Sequence, residues 1–235
     1  MNNVTAEDCV ERGYKEANLG KHDEAIKCFD KAIAIDPNHA GAWAGRGNVF
    51  VNLGKHDEAI KCFDKAIEIY PMYTVAWNNK GNVLDDLGKH DEAIKCFDKA
   101  IEINPVDALG WNNKGASLAN LGKHDEAIKC FDQALNIYPK YLVAWNNKGA
   151  SLSNLGNYDE GIRCFDLSIN MDPNYASAWY NRASFNVKKG DIESGLADLK
   201  KAIEIGKEEY IELAKQNRHF ESIRNDQRFR SLVGV

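Results

Sequence analysis

Histidine and cysteine recur at a fixed spacing, and this is the first pattern in the chain that could do chemistry. Cysteine follows histidine by six residues in four places: His22 and Cys28, His56 and Cys62, His90 and Cys96, and His124 and Cys130. Equivalent residues of successive repeats should be separated by about 8–10 Å or more, the distance between packed helices. That separation exceeds the roughly 7 Å limit for a disulfide and is too long for a shared zinc site. One histidine and one cysteine per repeat give at most two ligands, so we expect buried free thiols, no metal and no cofactor.

The same histidines precede aspartates, as in His90–Asp91, and such a pair could be mistaken for half of a catalytic relay. Neighbouring residues on a helix do not face each other, however. No serine or cysteine is placed in the sequence to act as their nucleophile. The pattern therefore favours repeated helix-start chemistry, and we predict that the chain is not an enzyme.

A period of 34 residues runs through several residue types at once, which indicates a repeat array. It is carried by tryptophan at Trp43, Trp77, Trp111, Trp145 and Trp179, by proline from Pro37 to Pro173, and by cysteine from Cys28 to Cys164. A chain of 235 residues built this way buries its apolar surface between neighbouring repeats and needs no central core.

Each repeat has the pattern of two antiparallel helices. Trp77, Gly81 and Leu84 share one face of the first helix at helical spacing. Leu87–Gly88 predicts a left-handed cap at its end. Carboxylates in the next turn favour the start of a second helix, and Asn104–Pro105 ends it, because the residue before proline avoids helical geometry.

These Trp, Gly, Leu-Gly, Ala, Phe and Pro columns resemble the tetratricopeptide repeat. The resemblance implies an all-α fold, a right-handed superhelical solenoid of antiparallel helix pairs with a C-terminal capping helix. After a lead at 1–5, it predicts six repeats and a capping segment: 6–39, 40–73, 74–107, 108–141, 142–175, a degenerate 176–209, and 210–235. The tail is also similar to those that follow such repeats in prokaryotic proteins.

The chain departs from the family pattern at a position that usually holds leucine. It is basic in every repeat: Arg12, Arg46, Lys80, Lys114, Lys148 and Arg182. We expect the stems of these side chains to lie on the helix pair while their charges stay in water.

Composition narrows the class of partner. A net charge of -5 argues against binding to nucleic acid, which needs a basic stripe. The chain has no basic-then-apolar leader and no apolar run of membrane-spanning length. We therefore expect a cytoplasmic protein that binds neither nucleic acid nor membranes.

The face of each first helix that lies opposite the tryptophan is the candidate site. In the family this face lines a concave groove, and an asparagine ladder there can bind the backbone of an extended peptide. The residues predicted to line it are Asn48, Asn52, Val75, Asn78, Asn79, Asn82, Asp85, Asp86, Leu109, Asn112, Asn113, Ala116, Val143, Asn146, Asn147, Ala150 and Asn154. The alternative interpretation is that duplication copied a tolerated, solvent-facing asparagine pair.

The sequence thus predicts a non-enzymatic scaffold for protein–protein interaction, which holds an extended peptide or protein segment across the second to fifth repeats. The aspartates Asp85 and Asp86 favour a neutral to basic partner. Two alternatives stay open: a structural protein that self-associates end to end through its terminal repeats, and a regulatory module for a separate enzyme.

Overall fold

Apolar residues at helical spacing, interrupted by Gly and Pro turns, fold the chain into helices throughout. The computed structural model describes residues 4–234. In this range there are fourteen α-helices and one 3-10 helix, and no strand. They are α1 (Ala6–Asn18), α2 (His22–Ile35), α3 (Ala40–Asn52), α4 (His56–Ile69), α5 (Thr74–Asp86), α6 (His90–Ile103), α7 (Ala108–Asn120), α8 (His124–Ile137), α9 (Leu142–Asn154), α10 (Tyr158–Met171), α11 (Ala176–Lys189), α12 (Ile192–Gly206), α13 (Glu208–Gln216), the 3-10 helix (Arg218–Ile223) and α14 (Gln227–Val233). No helix in residues 4–234 is both long and apolar enough to cross a membrane.

The helices form two compact units that divide after Ser117. The N-terminal unit contains α1 to α6 and most of α7. The C-terminal unit contains the last three residues of α7, α8 to α14 and the 3-10 helix.

Glycine and proline end the helices as the sequence predicts. Gly88, after α5, has a φ of 74°, and its N–H donates to the Asp85 carbonyl at 2.8 Å. The N–H of Lys89 donates to the Leu84 carbonyl, also at 2.8 Å. These two bonds satisfy carbonyls that the helix end leaves open, and only glycine adopts this backbone conformation without strain.

Phenylalanine against glycine forms the core of each helix pair in the N-terminal unit. In the third repeat α5 packs on α6, where Phe97 is buried among Leu84, Ala93 and Cys96. A Cβ atom placed on Gly81 would lie 2.5 Å from the Phe97 ring. The absence of a side chain at Gly81 therefore lets the two helices approach closely. The same contact joins Gly13 to Phe29 and Gly47 to Phe63.

Each tryptophan binds the turn that precedes its helix. Trp77 is half-buried, and its indole N–H donates to the Pro71 carbonyl at 2.9 Å. The other four tryptophans donate to the proline carbonyl six residues earlier in the same way. The tryptophan column therefore combines core packing with a polar anchor for the turn.

The basic residue three positions after each tryptophan joins successive repeats through an ion pair. Lys80 Nζ lies 2.6 Å from the Asp64 carboxylate on the preceding second helix, α4. Four further pairs follow the same rule: Arg46 with Asp30, Lys114 with Asp98, Lys148 with Asp132, and Arg182 with Asp166. The charges of these residues are therefore paired with a carboxylate of the preceding repeat, in addition to facing solvent.

The C-terminal unit continues the helix pairs and then covers the last of them. Tyr210 of α13 and Phe220 of the 3-10 helix pack with Tyr180 and Leu199 of α11 and α12, and α14 joins the same cluster through Phe229. The tail therefore caps the last helix pair, as the sequence predicted.

We expect Gly81→Ala to lower the free energy of unfolding by about 1–3 kcal/mol, because the added methyl group overlaps the Phe97 ring. The degenerate repeat carries Ala183 and Leu199 at the equivalent positions, and both are fully buried. Combining Gly81→Ala with Phe97→Leu should therefore cost about 1 kcal/mol less than the sum of the two single losses. Urea unfolding followed by circular dichroism measures all three variants. Strictly additive losses would show that this contact does not limit the approach of the helices.

Deleting residues 208–235 should lower the melting temperature and make light scattering depend on protein concentration, because the deletion uncovers Tyr180 and Leu199. Exposed apolar surface of this kind promotes association. Leu213→Ala is the control within the tail: Leu213 is 41% exposed, so this change should alter stability by no more than about 0.5 kcal/mol. A truncated chain that melts unchanged and stays monomeric would contradict the capping role.

Candidate functional site

The predicted site residues lie on the first helices of successive repeats, and they fall in both compact units. The N-terminal unit contains the larger set: Asn48, Asn52, Val75, Asn78, Asn79, Asn82, Asp85, Asp86, Leu109, Asn112, Asn113 and Ala116. The C-terminal unit contains Val143, Asn146, Asn147, Ala150 and Asn154, of which only Asn154 is exposed and Asn146 is buried.

The first asparagine of each pair is not available to a ligand, and here the sequence prediction was wrong. Asn78, Asn112 and Asn146 are each only 4% exposed. Asn78 Nδ2 donates to Asp107 Oδ2 at 2.8 Å, which ties α5 to the turn before α7. Asn146 Oδ1 accepts a bond from Asn181 Nδ2 at 3.0 Å within the C-terminal unit. Asn78 and Asn146 therefore form side-chain bonds between successive repeats, which gives these mid-helix asparagines a structural role.

The second asparagine of the pair is half-buried and forms a ladder with the preceding first helix. Asn79 Nδ2 donates to Asn48 Oδ1 at 2.8 Å, and Asn113 Nδ2 donates to Asn82 Oδ1 at 2.9 Å. Within residues 4–234, no protein group forms a hydrogen bond with Asn79 Oδ1 or with the Nδ2 groups of Asn48 and Asn82. The ladder therefore keeps unused amide groups on this face.

A cavity of about 280 Å³ lies beside this ladder, between α3 and α5. Its lining residues are Asn48, Val51, Asn52, Asn79, Asn82, Val83 and Asp86. Val51 and Val83 were missed by the sequence analysis. They share helical spacing with Asn48 and Asn79 at i+3 and i+4, which is the signal that could have found them. The cavity combines an apolar floor with amides and one carboxylate.

The two aspartates of α5 differ in role, contrary to the acidic patch that the sequence predicted. Asp85 Oδ1 accepts a bond from the Ser117 hydroxyl at 2.5 Å and lies 2.7 Å from His90 Nδ1. Asp85 thus links α5, α6 and α7. Asp86 is exposed and lines the cavity. Only Asp86 can offer a free carboxylate there.

The Ser117, Asp85 and His90 cluster does not have the geometry of a catalytic triad. In a triad the base accepts the nucleophile's proton, and the carboxylate orients the base. Here Ser117 donates directly to Asp85, and the Ser117 side chain is fully buried. A substrate has no path to this hydroxyl, so the cluster fits a structural role.

Three of the buried cysteines, Cys62, Cys96 and Cys164, lack the features of nucleophiles. Burial raises the pKa of the Cys62 and Cys96 thiols and raises that of Cys164 to about 11. The thiolate is the reactive form and the metal ligand, so these thiols are poor candidates for either role near neutral pH. Among residues 4–234, no group of three or more His, Cys, Asp or Glu side chains is placed to hold a metal ion.

Sequence models of the tetratricopeptide repeat match most of the chain. One model matches residues 40–73, 74–107 and 108–141, and three others match residues 13–54, 130–163 and 176–207. The chain belongs to the tetratricopeptide repeat family. Members of this family are protein-interaction scaffolds, and the chain is a scaffold of this kind.

Solved structures of tetratricopeptide repeat (TPR) proteins are similar to this chain. MamA is 24% identical over 70% of this chain and 96% of its own, with a TM-score of 0.63. YrrB, described as a TPR protein with an unusual peptide-binding site, is 26% identical over 80% of this chain and 98% of its own, with a TM-score of 0.60. PilW, a type IV pilus biogenesis factor, is 17% identical over 95% and 99%, with a TM-score of 0.79. The similarity to MamA and PilW shows the fold alone. No sequence among the curated proteins matches the chain.

Comparing Asp85 with its neighbour Asp86 tests whether the Ser117, Asp85 and His90 cluster stabilises the fold. Asp85→Ala should lower the free energy of unfolding by about 1–3 kcal/mol, because it leaves the Ser117 hydroxyl buried without its partner. Asp86→Ala removes the same group from an exposed position and should change stability by no more than about 0.5 kcal/mol. Equal effects of the two substitutions in chemical denaturation would show that the cluster is not structural.

Proposed function

We propose that the N-terminal unit binds an extended peptide segment of a protein partner along the faces of α3 and α5. The observation that carries the proposal is the cavity beside the asparagine ladder, with unused donors on Asn48 and Asn82 and an unused acceptor on Asn79. An extended peptide presents alternating N–H and C=O groups, and amide side chains can satisfy both without reading the peptide's sequence.

The charge of the cavity favours a neutral to basic segment. Asp86 lines the cavity, is exposed, and has no ion-pair partner within residues 4–234. A carboxylate in this position attracts a lysine or arginine and speeds its approach. Val51, which is half-buried, would contact the aliphatic part of the same side chain.

The unusual peptide-binding site for which YrrB is described supports a peptide as the ligand class. YrrB is 26% identical to this chain, so its site gives a class of ligand and no particular sequence. Selectivity would come from residues that differ between repeats, among them Asp86, whose counterpart one repeat later is Asn120.

End-to-end self-assembly, one of the two alternative functions, fits the terminal helices less well. On α3, the residues that pack against the preceding repeat are Ala42, Gly45 and Val49. The residues 34 positions earlier, on α1, are Asp8, Glu11 and Lys15, and all three are exposed. Burying three charged groups in a stacked interface is unfavourable. The tail described above covers the other end of the array.

Peptides selected from a random phage-displayed library against the full chain would test the proposal. Isothermal calorimetry with a selected peptide should show that Asn79→Ala together with Asn82→Ala weakens binding by about 0.5–1.5 kcal/mol per lost hydrogen bond. Asp86→Lys should weaken basic peptides further and spare neutral ones.

Asn136→Ala and Asn170→Ala are the matched controls, because both remove exposed asparagines from second helices, α8 and α10. These controls should bind the peptide as the unaltered chain does. Unchanged affinity in the Asn79 and Asn82 double variant, or an equal loss in the controls, would place the binding surface elsewhere.

A further inference from the structure

A second cavity, of about 690 Å³, lies in the C-terminal unit between the end of α11 and the 3-10 helix. Its polar lining consists of Lys188, Arg218, His219, Glu221 and Ser222. Val187, Gly190 and Ile192 supply the remaining, apolar part of the wall. Lys188, Arg218 and His219 therefore line the same cavity, although the net charge of the whole chain is -5.

The carboxylates near this cavity are already occupied by other groups. Glu221 pairs with Arg224, whose Nε lies 2.8 Å from its carboxylate. Asp191 follows Gly190 and accepts a bond from the Ser194 N–H at the start of α12. Within residues 4–234, neither Lys188 nor Arg218 forms an ion pair, and Lys188 Nζ lies 5.7 Å from the centroid of the Phe185 ring and 5.8 Å from that of the Tyr158 ring. The cavity therefore has positive charge that the protein itself does not neutralise.

Lys188 and Arg218 both lie close enough to His219 for their charges to affect its pKa. Its ring centroid lies 4.9 Å from that of Phe185, and its Nδ1 atom is buried without a hydrogen-bond partner. Burial lowers the pKa of His219, and the charges of Lys188 and Arg218 lower it further. No acidic group raises it. Burial and the two cations thus disfavour the charged form of the imidazole.

We propose that this cavity binds a phosphate group. Arginine presents a planar fork of donors that matches phosphate oxygens, and lysine adds a compact positive charge. The Ser222 hydroxyl can donate a further hydrogen bond, and so can the imidazole when Nε2 carries the proton. Two positive charges match the charge of a phosphate dianion, whereas a single carboxylate would leave one of them uncompensated.

Titration of the full chain with inorganic phosphate, followed by nuclear magnetic resonance of the histidine rings, tests the proposal. Phosphate should move the His219 ring signals selectively and raise the His219 pKa, because an anion stabilises the charged imidazolium. The other histidine rings serve as internal references. O-phosphoserine in a blocked peptide, added in a second titration, distinguishes a free phosphate ion from a phosphorylated side chain by which of the two binds more tightly.

Lys188→Gln with Arg218→Gln should weaken phosphate binding by about tenfold or more, since hydrogen bonds from charged groups are the strong ones. Lys200→Gln with Lys201→Gln is the control, because it removes the same charge from the exposed surface of α12. Its affinity should change by less than about twofold. Circular dichroism confirms that both variants fold.

Two outcomes would overturn the proposal. One is that phosphate leaves the His219 signals and pKa of the unaltered chain unchanged, a result that needs no variant. The other is that the control loses as much affinity as the Lys188 and Arg218 variant, which would reduce the effect to general electrostatic attraction.

Discussion

The close approach of phenylalanine to glycine determines how the helix pairs of this chain can form. Phe97 occupies the space in which a side chain on Gly81 would lie, and it is only 1% exposed. Because the glycine lacks a Cβ atom, the two helices of the pair sit closer than larger residues would permit. This buries one face of each helix and leaves the opposite face of the first helix to other roles. In the degenerate repeat, Ala183 with Leu199 replaces Gly with Phe, so the larger residue on one helix is matched by a smaller one on the other.

Polar contacts between successive repeats then fix their register within each compact unit. Lys80 reaches Asp64 of the preceding repeat, and Asn78 reaches Asp107 at the start of the following one. Such contacts are directional, and leaving the buried Asn78 amide without its partner would be costly. Apolar packing alone would let successive repeats shift against each other, whereas a hydrogen bond or ion pair between particular atoms holds them in one register. Some of the polar residues that look like ligand-binding groups in the sequence therefore already form bonds between repeats.

The sequence predicted the fold well because each decisive signal is local. The periodic tryptophan and glycine columns, the Leu-Gly caps and the proline stops depend on residues close together in the chain. The boundaries of the six repeats remain predictions. The site was predicted less well, because its geometry depends on neighbouring repeats. Periodicity could not tell that Asn78 is buried and Asn79 half-buried, since both lie near the edge of the apolar face. The separation of Asp85 from Asp86 is decided by Ser117, which lies 32 residues further along the chain.

The asparagine ladder would lower the entropic cost of binding a peptide, because its side chains are already ordered. Asn48 and Asn79 hold each other through one amide group each, and the remaining group of each side chain stays unused. A peptide could bond to the unused groups without breaking the ladder, and the side chains would lose little further freedom when it does so. Valines beneath the amides keep the cavity floor apolar, so water there has few partners to lose. Duplication alone would copy an asparagine into each repeat. It would not explain why the ladder, the valines and the free Asp86 meet at the same cavity, and this convergence favours a binding role over a tolerated solvent-facing pair.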